Sequence, residues 1–171
     1  LTNPDSIEKI RARTGYYSDM VPDVPRSFTR LMDGMDLRIA GRRWRCISGY
    51  GHAPEHIALY CDDAALPAPV LIGGDMMLPR ISTNISVYDI EPESNPLALF
   101  LASIDKFKAL APNTLTLPSH GKPFEGLHTR IQQLQDHHRD RLEEVIEACT
   151  ASPCHAADIL PVMFKRTLDL H

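Results

Sequence analysis

Aromatic residues are scarce, at 6% of 171 residues with one tryptophan, Trp44. A base-stacking platform for single-stranded nucleic acid needs more of them. Positive charge is not in excess either, since 18 Lys and Arg against 22 Asp and Glu leave a formal net charge of −4. Neither nucleic acid nor an anionic membrane surface is the expected partner of such a chain. No apolar run approaches the roughly 20 residues of a membrane span. The start, Leu1-Thr2-Asn3-Pro4-Asp5, has neither the basic beginning nor the apolar middle of a signal peptide. Cysteines number only four, and the spacings of Cys46, Cys61, Cys149 and Cys154 match no zinc pattern or disulfide framework. Cys46 and Cys61 sit in apolar runs and read as reduced core residues, which points to a cytoplasmic, reducing setting.

What is present is ordinary for a globular chain: 43% hydrophobic and 23% charged residues, enough for one core. Residues 7–13 predict a short capped helix that stops at Gly15. Alternation over 36–40, a break at Gly41-Arg42-Arg43 and resumption at 44–47 predict a hairpin. Further strands are expected at 57–61, 70–72 and 114–117. Apolar residues at helical spacing predict a helix over 96–110 and a longer one over 125–149, the latter with Leu127, Ile131, Leu134, Leu142, Val145 and Ile146 inward. A last short helix is expected over 156–164. The fold class is therefore α/β, a mixed sheet with flanking helices.

Three separated segments carry metal-type ligands directly after apolar runs: Gly51-His52-Ala53-Pro54-Glu55-His56, Gly73-Gly74-Asp75 and Pro118-Ser119-His120-Gly121. Taken singly, His52 is a loop histidine, Asp75 a turn residue and His120 a strand end. In this order and context they point to side chains converging on one edge of a sheet, where open α/β sheets keep their chemistry. His137 and His138 read as part of a solvated helix face, and the run Arg42-Arg43-Trp44-Arg45 as a strand with exposed arginines.

The order Gly-His-x-Pro-x-His, Gly-Asp, Ser-His-Gly resembles the C-terminal half of the metallo-β-lactamase fold, in its glyoxalase-II-like, metal-dependent hydrolases. The stretch 117–124 followed by a long helix is the most specific part. The resemblance implies that residues 1–150 form one αβ half of a four-layer αββα fold, and that 151–171 begin a winged-helix-like C-terminal extension. It implies metal-ligand roles for His52, Asp75 and His120, with Asp75 bridging two ions, while His56 packs behind them and is not a ligand. The implied ions are zinc, and imidazole–carboxylate sites accept iron or manganese as well.

Such hydrolases also use a His-x-His-x-Asp-His cluster, and none occurs in these 171 residues. Together with the absent initiator methionine, this predicts a piece of a longer hydrolase that cleaves a small ester or thioester through a metal-bound hydroxide. The piece alone is expected to be metal-free or weakly metallated and inactive. Its partners are then the small-molecule substrate and the missing N-terminal half, or a second copy through the exposed sheet face. A phosphodiesterase or nuclease of the same fold, and a non-catalytic interaction module, are the alternatives.

Overall fold

The computed structural model describes residues 23–164, together with Glu8, Arg11, Ala12, Met20 and Val21. The helix expected over 7–13 lies mostly outside the described residues. The chain divides into two compact units, residues 31–147 and residues 1–30 with 148–171.

The larger unit is built on a five-stranded sheet in chain order: β1 (Asp36–Ile39), β2 (Arg42–Gly49), β3 (His56–Cys61), β4 (Val70–Gly74) and β5 (Leu115–Pro118). Strands β1 to β4 pair antiparallel, and β5 adds parallel to β4. A parallel pair needs a crossover. Here it contains helix α1 (Pro96–Asp105) and a 3₁₀ turn at Lys106–Ala109. Helix α2 (Leu127–Ala151) follows β5.

Local chemistry sets these elements. The β1–β2 hairpin closes at Ala40-Gly41, whose φ values of 51° and 77° suit the two-residue turn that matches strand twist. The turn thus falls one residue earlier than the sequence suggests, and Arg42 already pairs with Ile39. Asn95 caps α1 by accepting from the Ala98 amide at 3.0 Å, and Pro96 begins the helix. The helix expected over 96–110 stops at Asp105, and the tighter turn after it still buries Phe107 and Leu110.

Directly paired residues share a sheet face. Ile47, Ala58, Tyr60 and Leu71 project to one side and pack with Phe100, Ile104, Phe107, Leu127, Ile131 and Leu134. Burying each such large side chain contributes about 1.5–3 kcal/mol. The opposite face carries Trp44, Cys46, Ile57, Leu59, Cys61, Val70 and Ile72. Both faces are apolar, as in sheets covered on two sides, yet Ile72 is 39% exposed. Cys46 and Cys61 are buried free thiols.

On α2, Leu127, Ile131 and Leu134 are buried as expected, but Leu142 and Ile146 are exposed. Their apolar stripe continues beyond the core that the first turns cover.

In the smaller unit, α3 (Ala156–Met163) starts with a reciprocal cap, in which the His155 amide donates to Asp158 Oδ2 at 3.1 Å. Cys149 and Cys154 are free there, with sulfurs 3.4 Å apart.

Candidate functional site

The carboxyl ends of parallel β4 and β5 lie at one sheet edge, and the β2–β3 connection closes at the same edge through the Gly49–His56 pair. Topology therefore delivers residues 50–55, 75 and 119–120 to a common rim.

Gly51 seats the first of these segments. Its φ is +99°, and a Cβ there would lie 2.3 Å from the Pro96 carbonyl oxygen and 2.7 Å from the Phe100 nitrogen. The loop therefore rests directly on the first turn of α1. The Tyr50 amide, donating to Ser103 Oγ at 2.9 Å, ties it there.

Asp75 follows a register irregularity between Ile72 and Gly74. A Cβ on Gly74 would meet His56 Nε2 at 2.3 Å, so the His56 ring occupies the space that this glycine leaves. Ser119 Oγ donates to Asp75 Oδ1 at 2.5 Å. His120 Nε2 stands 3.4 Å from the same oxygen, and His52 Nε2 stands 3.6 Å from Asp75 Oδ2. One carboxylate thus sits between two imidazoles and turns a different oxygen toward each.

The orientation of His52 is fixed from behind. Its Nδ1 is 2.8 Å from the Asn84 carbonyl oxygen and 3.0 Å from Thr83 Oγ1. A carbonyl only accepts, so Nδ1 carries the proton, and in the neutral ring Nε2 turns a lone pair toward Asp75. Two acceptors facing each other at 3.6 Å repel unless a cation lies between them. This is the way a carboxylate or carbonyl commonly sets a ligating histidine.

The segment bearing Thr83 and Asn84 is itself clasped by α2. Arg130 donates from Nε to the Leu78 carbonyl at 2.7 Å and from Nη2 to the Ile81 carbonyl at 3.0 Å. His138 Nε2 lies 2.9 Å from Ser82 Oγ, and its ring meets Phe100 edge-on at 5.7 Å between centroids. His138 is therefore half-buried and engaged, in contrast to the solvated face expected for it, whereas His137 is exposed. Valine at Thr83 would remove one partner of His52 and leave the Asn84 carbonyl. If His52 ligates a metal, Thr83→Val should weaken metal binding by the intact protein about tenfold, read by calorimetry.

Burial, followed by the neighbouring charge of His52, lowers the pKa of His56, with Asp75 opposing. Burial, followed by His137, lowers that of His138. Folded-state values below the unfolded ones mean that the unfolded chain takes up protons first as pH falls through about 6.5. Stability present above that pH is then lost on acidification. The melting temperature should fall between about pH 7 and 5, and His138→Gln should flatten the fall.

Among the described residues, no three His, Cys, Asp or Glu side chains form a single metal-holding group. His52, Asp75 and His120 instead make two pairs that share Asp75. Each pair offers one imidazole and one carboxylate oxygen, short of the three protein ligands of a catalytic zinc. The donor types fit a metal, as part of each site and not as a complete one. Thr83, Asn84, Arg130 and His138 lie outside the three ligand-bearing segments, and no sequence signal points to their roles. Ser119 lies within the 118–121 segment, and its contact with Asp75 emerges only from the fold.

A mixed sheet with helices on one face and an imidazole–carboxylate–imidazole row at one edge places the chain among α/β proteins with an edge site. The sequence model described as "Metallo-beta-lactamase-like, C-terminal domain" matches residues 142–171. A β-lactamase domain protein from Burkholderia ambifaria is 54% identical over 100% of this chain and 48% of its own, with a TM-score of 0.91. A metallo-β-lactamase family protein from Thermus thermophilus is 28% identical over 78% of this chain and 46% of its own, with a TM-score of 0.62. A metallo-β-lactamase from Staphylococcus aureus, 19% identical over 58% of this chain and 31% of its own at a TM-score of 0.50, shares the fold. No curated protein matches the sequence significantly. The chain belongs to the metallo-β-lactamase fold family, a family of metal-dependent hydrolases, and is consistent with its C-terminal half. It spans about half the length of the solved relatives it matches. No helix among the described residues is long and apolar enough to cross a membrane.

Proposed function

We propose that this chain is the C-terminal half of a dinuclear metal-dependent hydrolase of small esters or thioesters, of the glyoxalase-II-like type. The observation that carries the reading is the placement of Asp75, one oxygen toward His52 and the other toward His120. These three residues would hold the inner edge of two ions, zinc or alternatively iron or manganese. When bound, such ions supply Lewis acidity and lower the pKa of water toward neutrality. The protein's own part is to hold the ligand set. Thr83 and Asn84 fix the His52 ring, Ser119 anchors the Asp75 carboxylate, and His56 fills the gap behind it.

With two ligands per ion, this chain alone is weakly metallated and inactive, and the remaining ligands come from an N-terminal half. That half covers the second apolar sheet face, where Ile72 is exposed. In its absence the face drives self-association, so sedimentation of the isolated chain should show dimers or larger species, against a clean monomer if the face is otherwise covered. The buried free thiols of Cys46 and Cys61 support a reducing, cytoplasmic setting.

The test is turnover of a panel of small esters, thioesters and phosphodiesters by the intact protein. Thioester or ester hydrolysis that a chelator abolishes and zinc, iron or manganese restores is the expected result. Hydrolysis of phosphodiesters alone would move the reading to a nuclease. Absence of any metal-dependent turnover would leave an interaction module.

A further inference from the structure

A cavity of about 450 Å³ opens beside His120, within the range of small-molecule sites. Its walls are Pro79, Ile81, Pro123 and Phe124, and Arg80 and Lys122 also line it. We propose that this cavity is the subsite for an apolar group that ends in a carboxylate or phosphate. It would select anionic amphiphilic substrates, an inference that rests on the hydrolase reading above.

The walls are pre-formed. Phe124 exchanges two backbone hydrogen bonds with Thr116 of β5, at 2.8 and 3.0 Å, so its position follows the sheet. The facing wall is held by Arg130 through the Leu78 and Ile81 carbonyls. Gly121 lets the two walls approach, because at its φ of +91° a Cβ would lie 2.8 Å from Pro79 Cγ. A pre-formed apolar cleft binds at a smaller ordering cost. Ile81 is nevertheless 62% exposed, leaving apolar surface open to an occupant.

Charge identifies the other end of that occupant. Arg80 and Lys122 have no ion-pair or hydrogen-bond partner among the described residues, whereas Arg43, Lys106, Lys108, Arg139 and Arg141 each have a carboxylate partner. Two unpaired cations beside low-dielectric walls concentrate positive potential at the cavity. An anion would satisfy both, and the arginine fork suits carboxylate and phosphate alike. The side chain of His120, 72% exposed, places the reacting edge next to the cavity.

Calorimetric titration of this chain, in chelator so that no metal takes the anion, with octanoate, octyl phosphate and octanamide tests the assignment. At least one anion should bind about tenfold more tightly than the neutral amide, the gain expected of a charge-assisted contact. Which anion leads decides between carboxylate and phosphate. Replacing both cations, Arg80→Gln with Lys122→Gln, should erase the preference and leave octanamide binding unchanged. Ile81→Asn should weaken all three. No binding, equal binding of the amide, or a preference that survives the double substitution would overturn the subsite. The outcomes separate the two claims. Anion binding by the chain with no turnover by the intact protein sinks the hydrolase alone, and turnover indifferent to substrate charge sinks the subsite alone.

Discussion

On the proposed hydrolase reading, replacing Asp75 by alanine should lower turnover of the intact protein about a thousandfold while leaving the fold in place. Among the described residues the carboxylate is the one acidic group that stands beside both His52 and His120, with 3.6 and 3.4 Å separating it from the two rings. If it is a shared metal ligand, its loss removes a donor from both pairs at once. Lewis-acid stabilisation is worth several kcal/mol, and each 1.36 kcal/mol is about a factor of ten in rate. Stability should hardly change, because Asp75 lies at the rim with its side chain 29% exposed. The hydrogen bond it accepts from Ser119 contributes about 0.5–1.5 kcal/mol. Kinetics set beside a thermal melt of the same variant checks both parts, and a variant that keeps turnover would remove Asp75 from the site.

Gly51→Ala should have the largest effect on folding, a loss of about 2–5 kcal/mol. Part is the cost of placing a side chain in left-handed backbone, and part is overpacking against atoms that cannot yield. Those atoms are backbone, the Pro96 carbonyl oxygen at 2.3 Å and the Phe100 nitrogen at 2.7 Å. Relief requires lifting the loop from α1, which carries His52 away from Asp75. Gly34→Ala is the control. Its φ of +77° is also left-handed, but nothing lies within 4 Å of the added Cβ. Chemical denaturation of both variants should show Gly51→Ala clearly the weaker, whereas similar losses would mean that contact with α1 contributes nothing.

The strands were legible because their periodicity and turn residues agree. The alternation in 36–40, the Gly41 break and the apolar runs at 57–61 and 70–72 each act within a few residues, and each strand appears close to where it was expected. That His52, Asp75 and His120 meet at one edge was legible for a different reason, each following a strand and flanked by glycine or proline. What escaped is long-range and uses groups without a sequence signature. The clasp on 78–84 runs through the carbonyls of Leu78, Ile81 and Asn84, and every residue has a carbonyl. His138 lies among Asp136, Arg139 and Asp140, so its neighbours in sequence suggested solvent, although the helix turns it toward Phe100 and Ser82. Leu142 and Ile146 misled in the opposite direction, since periodicity marks an apolar stripe but not where its cover ends.

Zinc titration of this chain, followed by calorimetry beside its Asp75→Ala variant, bears most directly on a shared carboxylate between two incomplete half-sites. Weak binding, micromolar or poorer, that disappears entirely in the variant is the predicted result. Submicromolar binding, or binding that persists once the carboxylate is gone, would contradict it.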